Sequence, residues 1–300
     1  SESLFFSIQI CLIVFIIKKN HNIFSLFLFG LLIGLLYLQR SVAIFYAVPV
    51  LIYYYFENQK NFVKFFTNIS LGLLIVFLLV GYHNYKRSGI FYVVSSQAKH
   101  GFHMYLLPEI IAKKHKISHE KAAKELIEDL EKFALEENLN LNIDINSIAE
   151  NERDRLEFAN YQKKIAINTM IDNPLLTLKT ITKRTLRFFL IDPLAHVYYF
   201  HKWNIDEGPY YKSPQHKMWL LPRICYSLFI YFFCFIGVIT TYKNKKYRGF
   251  LSYILLSIIY FTAVQSWFGS TRYFAPIIIY LSFLFSFGLL SFNKFIKNYK

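Results

Sequence analysis

The chain has 300 residues, 55% of them hydrophobic and 19% aromatic, with 32 Phe and 23 Tyr, which excludes a single soluble core. Lys and Arg number 34 against 19 Asp and Glu, a formal net charge of +15. The basic residues collect in short breaks, such as Lys18-Lys19 and Lys243, Lys245, Lys246 and Arg248, between nearly charge-free apolar runs, so the excess matches a polytopic membrane protein rather than a nucleic-acid binder.

Crossing ~30 Å of hydrocarbon takes about 20 helical residues. Seven runs reach or approach that length: Leu4 to Ile17, Ile23 to Leu38, Val42 to Phe56, Phe65 to Tyr82, Trp219 to Tyr242, Phe250 to Phe268 and Phe274 to Phe292. Only Gln39, Arg40 and Ser41 separate the second from the third. A single helix through both would be about 50 Å long and would strand Arg40 mid-bilayer, so two helices are expected. With seven spans, Lys18, Lys19, Lys60, Lys64, Lys243, Lys245, Lys246, Arg248, Lys294, Lys297 and Lys300 fall on one side, while the short turns opposite carry Arg40 and Arg272. The Lys-rich side is therefore expected in the cytoplasm.

The long segment between the fourth and fifth runs is expected outside. It opens with a turn-rich stretch, Asn84 to Gly89, and a short β-prone run, Ile90 to Val94. Ser118 then caps an amphipathic helix ending near Asn138, with Ala122, Leu126, Leu130 and Phe133 at helical spacing. A second helix is expected from about Ser147 to Asp172, and Asn173-Pro174 breaks it. Pro174 suits the first position of a third helix, to Leu190, in which Leu175, Leu178, Ile181 and Phe189 alternate with Lys179, Lys183, Arg184 and Arg187. That composition suits a helix lying on an anionic membrane surface. The expected organisation is four transmembrane helices in 1–83, an extracytoplasmic domain in 84–217, and three transmembrane helices with a cytoplasmic tail in 218–300. Within the domain lie a helical insert, about 118–172, and the interfacial helix 174–190.

Among residues able to carry chemistry, Arg40 and Arg272 stand out, each at an external helix boundary in a very short turn. A planar, permanently charged guanidinium at headgroup level suits a lipid phosphate or pyrophosphate, the alternative being interfacial anchoring. His115 and His119 have the i, i+4 spacing of some zinc sites, but a helix starts between them. Cys11, Cys225 and Cys234 lie inside apolar runs and form neither a disulfide framework nor a zinc motif. No cofactor is evident, and a divalent metal is left open.

Several short motifs, in order, carry a resemblance. Glu2-Ser3-Leu4-Phe5 opens a helix, and Gly34-Leu35-Leu36 leads to Leu38-Gln39-Arg40. Tyr82-His83-Asn84-Tyr85 precedes Gly89, Ser95 and Ser96. Asp172-Asn173-Pro174 precedes a basic helix, and Gly269-Ser270-Thr271-Arg272-Tyr273 is followed by Pro276. Together they resemble the bacterial polyprenyl-phosphate-dependent glycosyltransferases of the GT-C class, which include protein O-mannosyltransferases, the lipid A aminoarabinose transferase and Rgt-type sugar transferases. The resemblance spans most of the chain, excluding the stretch from about Ser118 to Glu152. Arg40-Ser41 stands where the family usually has Arg-Pro, and His83-Asn84 where it often has Arg-Asn.

The resemblance implies an all-α, GT-C-type membrane helix bundle with a mainly helical extracytoplasmic domain, in a bacterial inner (plasma) membrane. It implies transfer of a sugar from a polyprenyl-phosphate donor to a lipid, glycan or protein acceptor, by inversion, with membrane lipid as a partner and no nucleic acid. Arg40 and Arg272 become the expected donor-phosphate ligands, Glu2 a candidate active-site acid, and His83, Asn84 and Tyr273 candidate neighbours. The family's general-base carboxylate lies in a loop expected upstream of Glu2, so the chain is expected to be a C-terminal part of the enzyme. The competing readings are an O-antigen ligase or polymerase and a transporter or flippase of lipid-linked sugars.

Overall fold

The computed structural model describes residues 2–18, 22–93, 106–139, 152–189, 220–265 and 274–298. These residues are helical almost throughout and contain no strand. They divide into two compact units, Ser1–Lys183 and Arg184–Lys300.

In the first unit, four apolar helices follow one another: α1 (Glu2–Lys18), α2 (Ile23–Gln39), α3 (Ala47–Glu57) and α4 (Phe62–Ser88). Asn22 starts α2 by accepting the Ser25 N–H on its side chain at 2.7 Å, relieving one of the orphan donors of a helix N-terminus. Between α2 and α3 the chain makes a short 3-10 turn, Ser41–Ala43, so two helices stand where the length argument required two. Pro49 falls in the first turn of α3, where a missing N–H costs nothing.

Buried Phe65, Ile69, Gly72 and Val76 of α4 form one stripe, on which Ile69, Gly72 and Val76 meet α2, while Leu71, Leu74, Leu78 and Leu79 are exposed. A helix apolar on all sides with only one stripe covered by protein is built for lipid. Glycines allow the approach: a Cβ on Gly30 would strike the Ile69 carbonyl, and one on Gly72 the Phe27 carbonyl.

The second unit repeats this logic with α9 (Leu220–Lys243), α10 (Arg248–Gln265) and α11 (Ala275–Asn298). Backbones of α9 and α11 touch, since a Cβ on Gly237 would overlap the Leu284 carbonyl and one on Gly288 the Phe233 carbonyl. Thr240 donates its hydroxyl to Ser291 Oγ at 2.9 Å alongside the same contact. The interior here is partly polar, with Ser227, Thr241, Ser257 and Gln265 buried, whereas Leu228, Phe229, Phe232, Phe235 and Ile259 are exposed. That inversion of the soluble pattern marks an apolar solvent.

Among the described residues, four helical stretches, Gln59–Ser88, Ile224–Lys243, Lys245–Gln265 and Ala275–Phe295, are long and apolar enough to cross a membrane, and Ser3–Lys18, Ile23–Gln39 and Ser41–Glu57 are shorter apolar helices. The chain is a multi-pass α-helical membrane protein.

The described residues between α4 and α9 form α5 (Leu107–His115), α6 (His119–Glu136), α7 (Glu152–Asp172) and α8 (Pro174–Phe189). Ser118 caps α6, its side chain accepting the Lys121 N–H at 3.1 Å. Leu130 and Ala134 of α6 pack on Phe158 of α7, and Phe133 stacks on Tyr161 at 3.9 Å. The charged residues of α6 face outward in the soluble manner.

Two expectations are corrected. The stretch Asn84 to Ser88 is not a turn but the last turn of α4, which ends only at Gly89 in the left-handed conformation, φ 71°. The run from Ile90 is no strand over its described part: residues 90–93 form a bend and an irregular return. Pairing a lone strand needs a partner edge, and the described residues contain no other strand.

Candidate functional site

Arg40 is the C-cap of α2, its N–H donating to the Leu36 carbonyl at 3.1 Å and its backbone turned to φ −147°, ψ 118°. This extended residue between a helix and a 3-10 turn swings the side chain off the α2 axis. The guanidinium carbon stands 5.5 Å from the centroid of the Phe5 ring. Phe5 is only 2% exposed, so the cation rests on a wall of α1 that water does not wet. A cation over an aromatic face gains roughly 0.5–2 kcal/mol, the larger figure where it is desolvated. Such a support orients the planar guanidinium fork.

The neighbouring end of α4 is closed by the return of the chain. Asn84 Nδ2 donates to the Tyr92 carbonyl at 2.8 Å, and the Tyr37 hydroxyl of α2 donates to the Val93 carbonyl. Phe91 lies against Gly81, where a Cβ would overlap its ring. Ser88 donates to the Asn84 carbonyl at 2.8 Å, and the Gly89 N–H to Tyr85 at 2.8 Å. Asn84, expected as an active-site neighbour, thus has its amide nitrogen on the backbone of the return. His83 is exposed on α4.

Glu2 opens α1 one turn before Phe5, and its side chain is outside the described residues. Arg272 and Tyr273 also lie outside them. Of the expected site, the structure therefore places Arg40, His83 and Asn84, all in the first unit. His115 ends α5 and His119 begins α6, with Lys116 in the left-handed conformation between the helices. No group of three or more metal-ligating side chains occurs among the described residues.

Two features were not read from the sequence. Phe5 and Tyr37 carry the geometry around Arg40 and the return, yet in an apolar run an aromatic that braces a site looks like one that faces lipid. In the second unit, Gln265 is fully buried, and neither of its side-chain polar atoms, nor Thr262 Oγ1 one turn earlier, has a hydrogen-bond partner. A lone amide near the end of an apolar run was the available signal. It lies at the end of α10, a few residues before Gly269 in the sequence.

Compared with protein-family models, with curated proteins and with solved structures, the chain matches none.

Proposed function

We propose that this chain is part of an integral membrane glycosyltransferase of the GT-C type, moving a sugar from a polyprenyl-phosphate donor to a lipid, glycan or protein acceptor on the extracytoplasmic face. The observation that carries the reading is Arg40 on the buried Phe5 ring, at the end of α2 opposite the Lys-rich breaks. A cation needed only for topology would belong with the Lys-rich breaks between the apolar runs. The ordered set of motifs quoted above, from Glu2 to Pro276, adds the reaction class.

In this mechanism a carboxylate takes the proton of an acceptor hydroxyl. The hydroxyl oxygen bonds to the anomeric carbon as the bond from that carbon to the phosphate oxygen breaks, inverting the centre. The leaving group changes from a phosphodiester monoanion to a phosphomonoester, so negative charge grows on its oxygens. Arg40, with Arg272, stabilises that growth more than it stabilises the ground state, which is where rate is gained. Glu2 is the candidate active-site acid that the resemblance implies.

The test is transfer by the full-length protein reconstituted in liposomes, given a polyprenyl-phosphate donor with a labelled sugar and a membrane extract as acceptor. Label should pass to the acceptor while polyprenyl phosphate is released. Label that crosses the bilayer still attached to the lipid would replace this reading with a transporter, and consumption of polyprenyl-pyrophosphate glycans alone would replace it with a ligase.

A further inference from the structure

Helix α8 buries the wrong face for a soluble helix. Thr177 and Thr180 are buried, at 8% and 0% exposure, while Leu175 and Leu178 stand 82% and 63% exposed. The threonines have reasons to be inside: Thr180 Oγ1 accepts from Lys113 Nζ of α5 at 3.0 Å, and the Thr177 hydroxyl donates to the Met170 carbonyl at 3.4 Å. The helix is therefore held to its own protein by Thr177, Thr180 and, further on, Phe188, and turns Leu175 and Leu178 outward. Ile171, at the end of α7, is 69% exposed and extends the same apolar surface. Lys179 and Lys183 are exposed beside it, and α8 contains no acidic residue.

At 100° per residue, Leu175, Leu178, Lys179 and Lys183 fall within an arc of roughly 140° of the helix. An apolar strip edged by lysines on one side is the pattern of a helix lying at a lipid–water boundary, with side-chain stems in acyl chains and ammonium groups among phosphates. A membrane is within reach, because α7 packs against the membrane-crossing helix α4.

We propose that the Ile171, Leu175 and Leu178 surface is seated in the headgroup layer of an anionic bilayer, with Lys179 and Lys183 on lipid phosphates. The occupant is bulk anionic lipid, not a protein. Membrane anchoring at this point would hold the α5–α7 helices against the bilayer beside α4 whatever reaction the protein catalyses, so the inference stands apart from the glycosyltransferase reading.

The experiment uses the full chain in liposomes, with Cys11, Cys225 and Cys234 replaced by Ser and a single cysteine at Leu178 or, as the water-facing control, at Glu128, each carrying an environment-sensitive fluorophore. Quenching is measured with aqueous iodide and with lipids spin-labelled near the headgroup, in phosphatidylglycerol and in phosphatidylcholine vesicles. The probe at 178 should be protected from iodide severalfold relative to that at 128, and quenched by the spin-labelled lipid more strongly in phosphatidylglycerol. Lys179→Gln with Lys183→Gln should remove the difference between the two lipids. Equal iodide quenching at 178 and 128 would overturn the proposal, and so would protection of 178 from both quenchers, which means a protein covers the surface.

Discussion

Single side chains decide how closely these helices approach and what the soluble helices do with pH. Gly288 meets the Phe233 carbonyl where a Cβ would sit, whereas nothing lies within 4 Å of the Cβ position of Gly89, whose φ is +71°. The two glycines are needed for different reasons, one for space and one for backbone conformation. Gly288→Ala is expected to lower stability by roughly 1–3 kcal/mol through overpacking, and Gly89→Ala by about 1 kcal/mol through the left-handed backbone alone. Thermal unfolding in one detergent checks the order, and a Gly288→Ala protein as stable as wild type would show that α9 and α11 do not touch. In the insert, the Tyr161 hydroxyl donates to Asp129 Oδ2 at 3.3 Å. Burial first, and then the Asp129 charge, push its pKa above the ordinary tyrosine value. The folded state therefore favours the neutral phenol. Its contribution is fully present below the unfolded pKa, about 10, and is lost as pH rises through the higher folded value. The stability difference between wild type and Tyr161→Phe, followed by unfolding of the full chain, should be constant below about pH 9 and shift against wild type above about pH 10. A difference independent of pH would contradict the coupling.

At the scale of elements, the insert behaves as a small soluble unit. Its core of Leu130, Ala134 and Phe158 and its Ser118 cap are ordinary water-side chemistry. Replacing Glu120 to Asn138 by a Gly-Ser linker is expected to leave transfer activity within a few fold per folded molecule, and complete loss would place the acceptor on α6. This helix was the most legible part of the chain, because capping, spacing and charge all agree over His119–Glu136. The apolar helices were legible as runs, for the same reason that their faces were not: when lipid and protein are both apolar, periodicity carries no contrast. The end of α4 was misread because Asn84, Ser88 and Gly89 are turn-formers by composition. In the fold, Ser88 bonds back to the Asn84 carbonyl and Asn84 reaches across to Tyr92, so both are satisfied with the helix intact. Arg40 was found by its isolation at a helix boundary, while its support from Phe5, 35 residues earlier in the sequence, is a tertiary contact that no local pattern announces.

For the whole molecule, we propose the orientation expected from the charge distribution, with the Lys-rich breaks in the cytoplasm and the segment between α4 and α9 outside. Single cysteines at Glu136 and at Asn244, in the background without native cysteines, should react differently with an impermeant maleimide on intact cells. Position 136 should label and position 244 should not, and the reverse pattern would invert the topology. The donor would then meet Arg40 from the outer leaflet. The claim on which the account turns is that Arg40 and Arg272 stabilise charge on the donor phosphate as the sugar leaves. Lys at either position keeps the charge without the fork, and Ala removes both. The most direct measurement is therefore the rate of sugar transfer from purified polyprenyl-phosphate donor by the reconstituted full-length enzyme, for wild type and for Lys and Ala variants at both positions, normalised to folded protein. Each Ala should cost about 2–4 kcal/mol in transition-state stabilisation and each Lys less, whereas wild-type rates in Arg40→Ala and Arg272→Ala together would leave both residues as interfacial anchors.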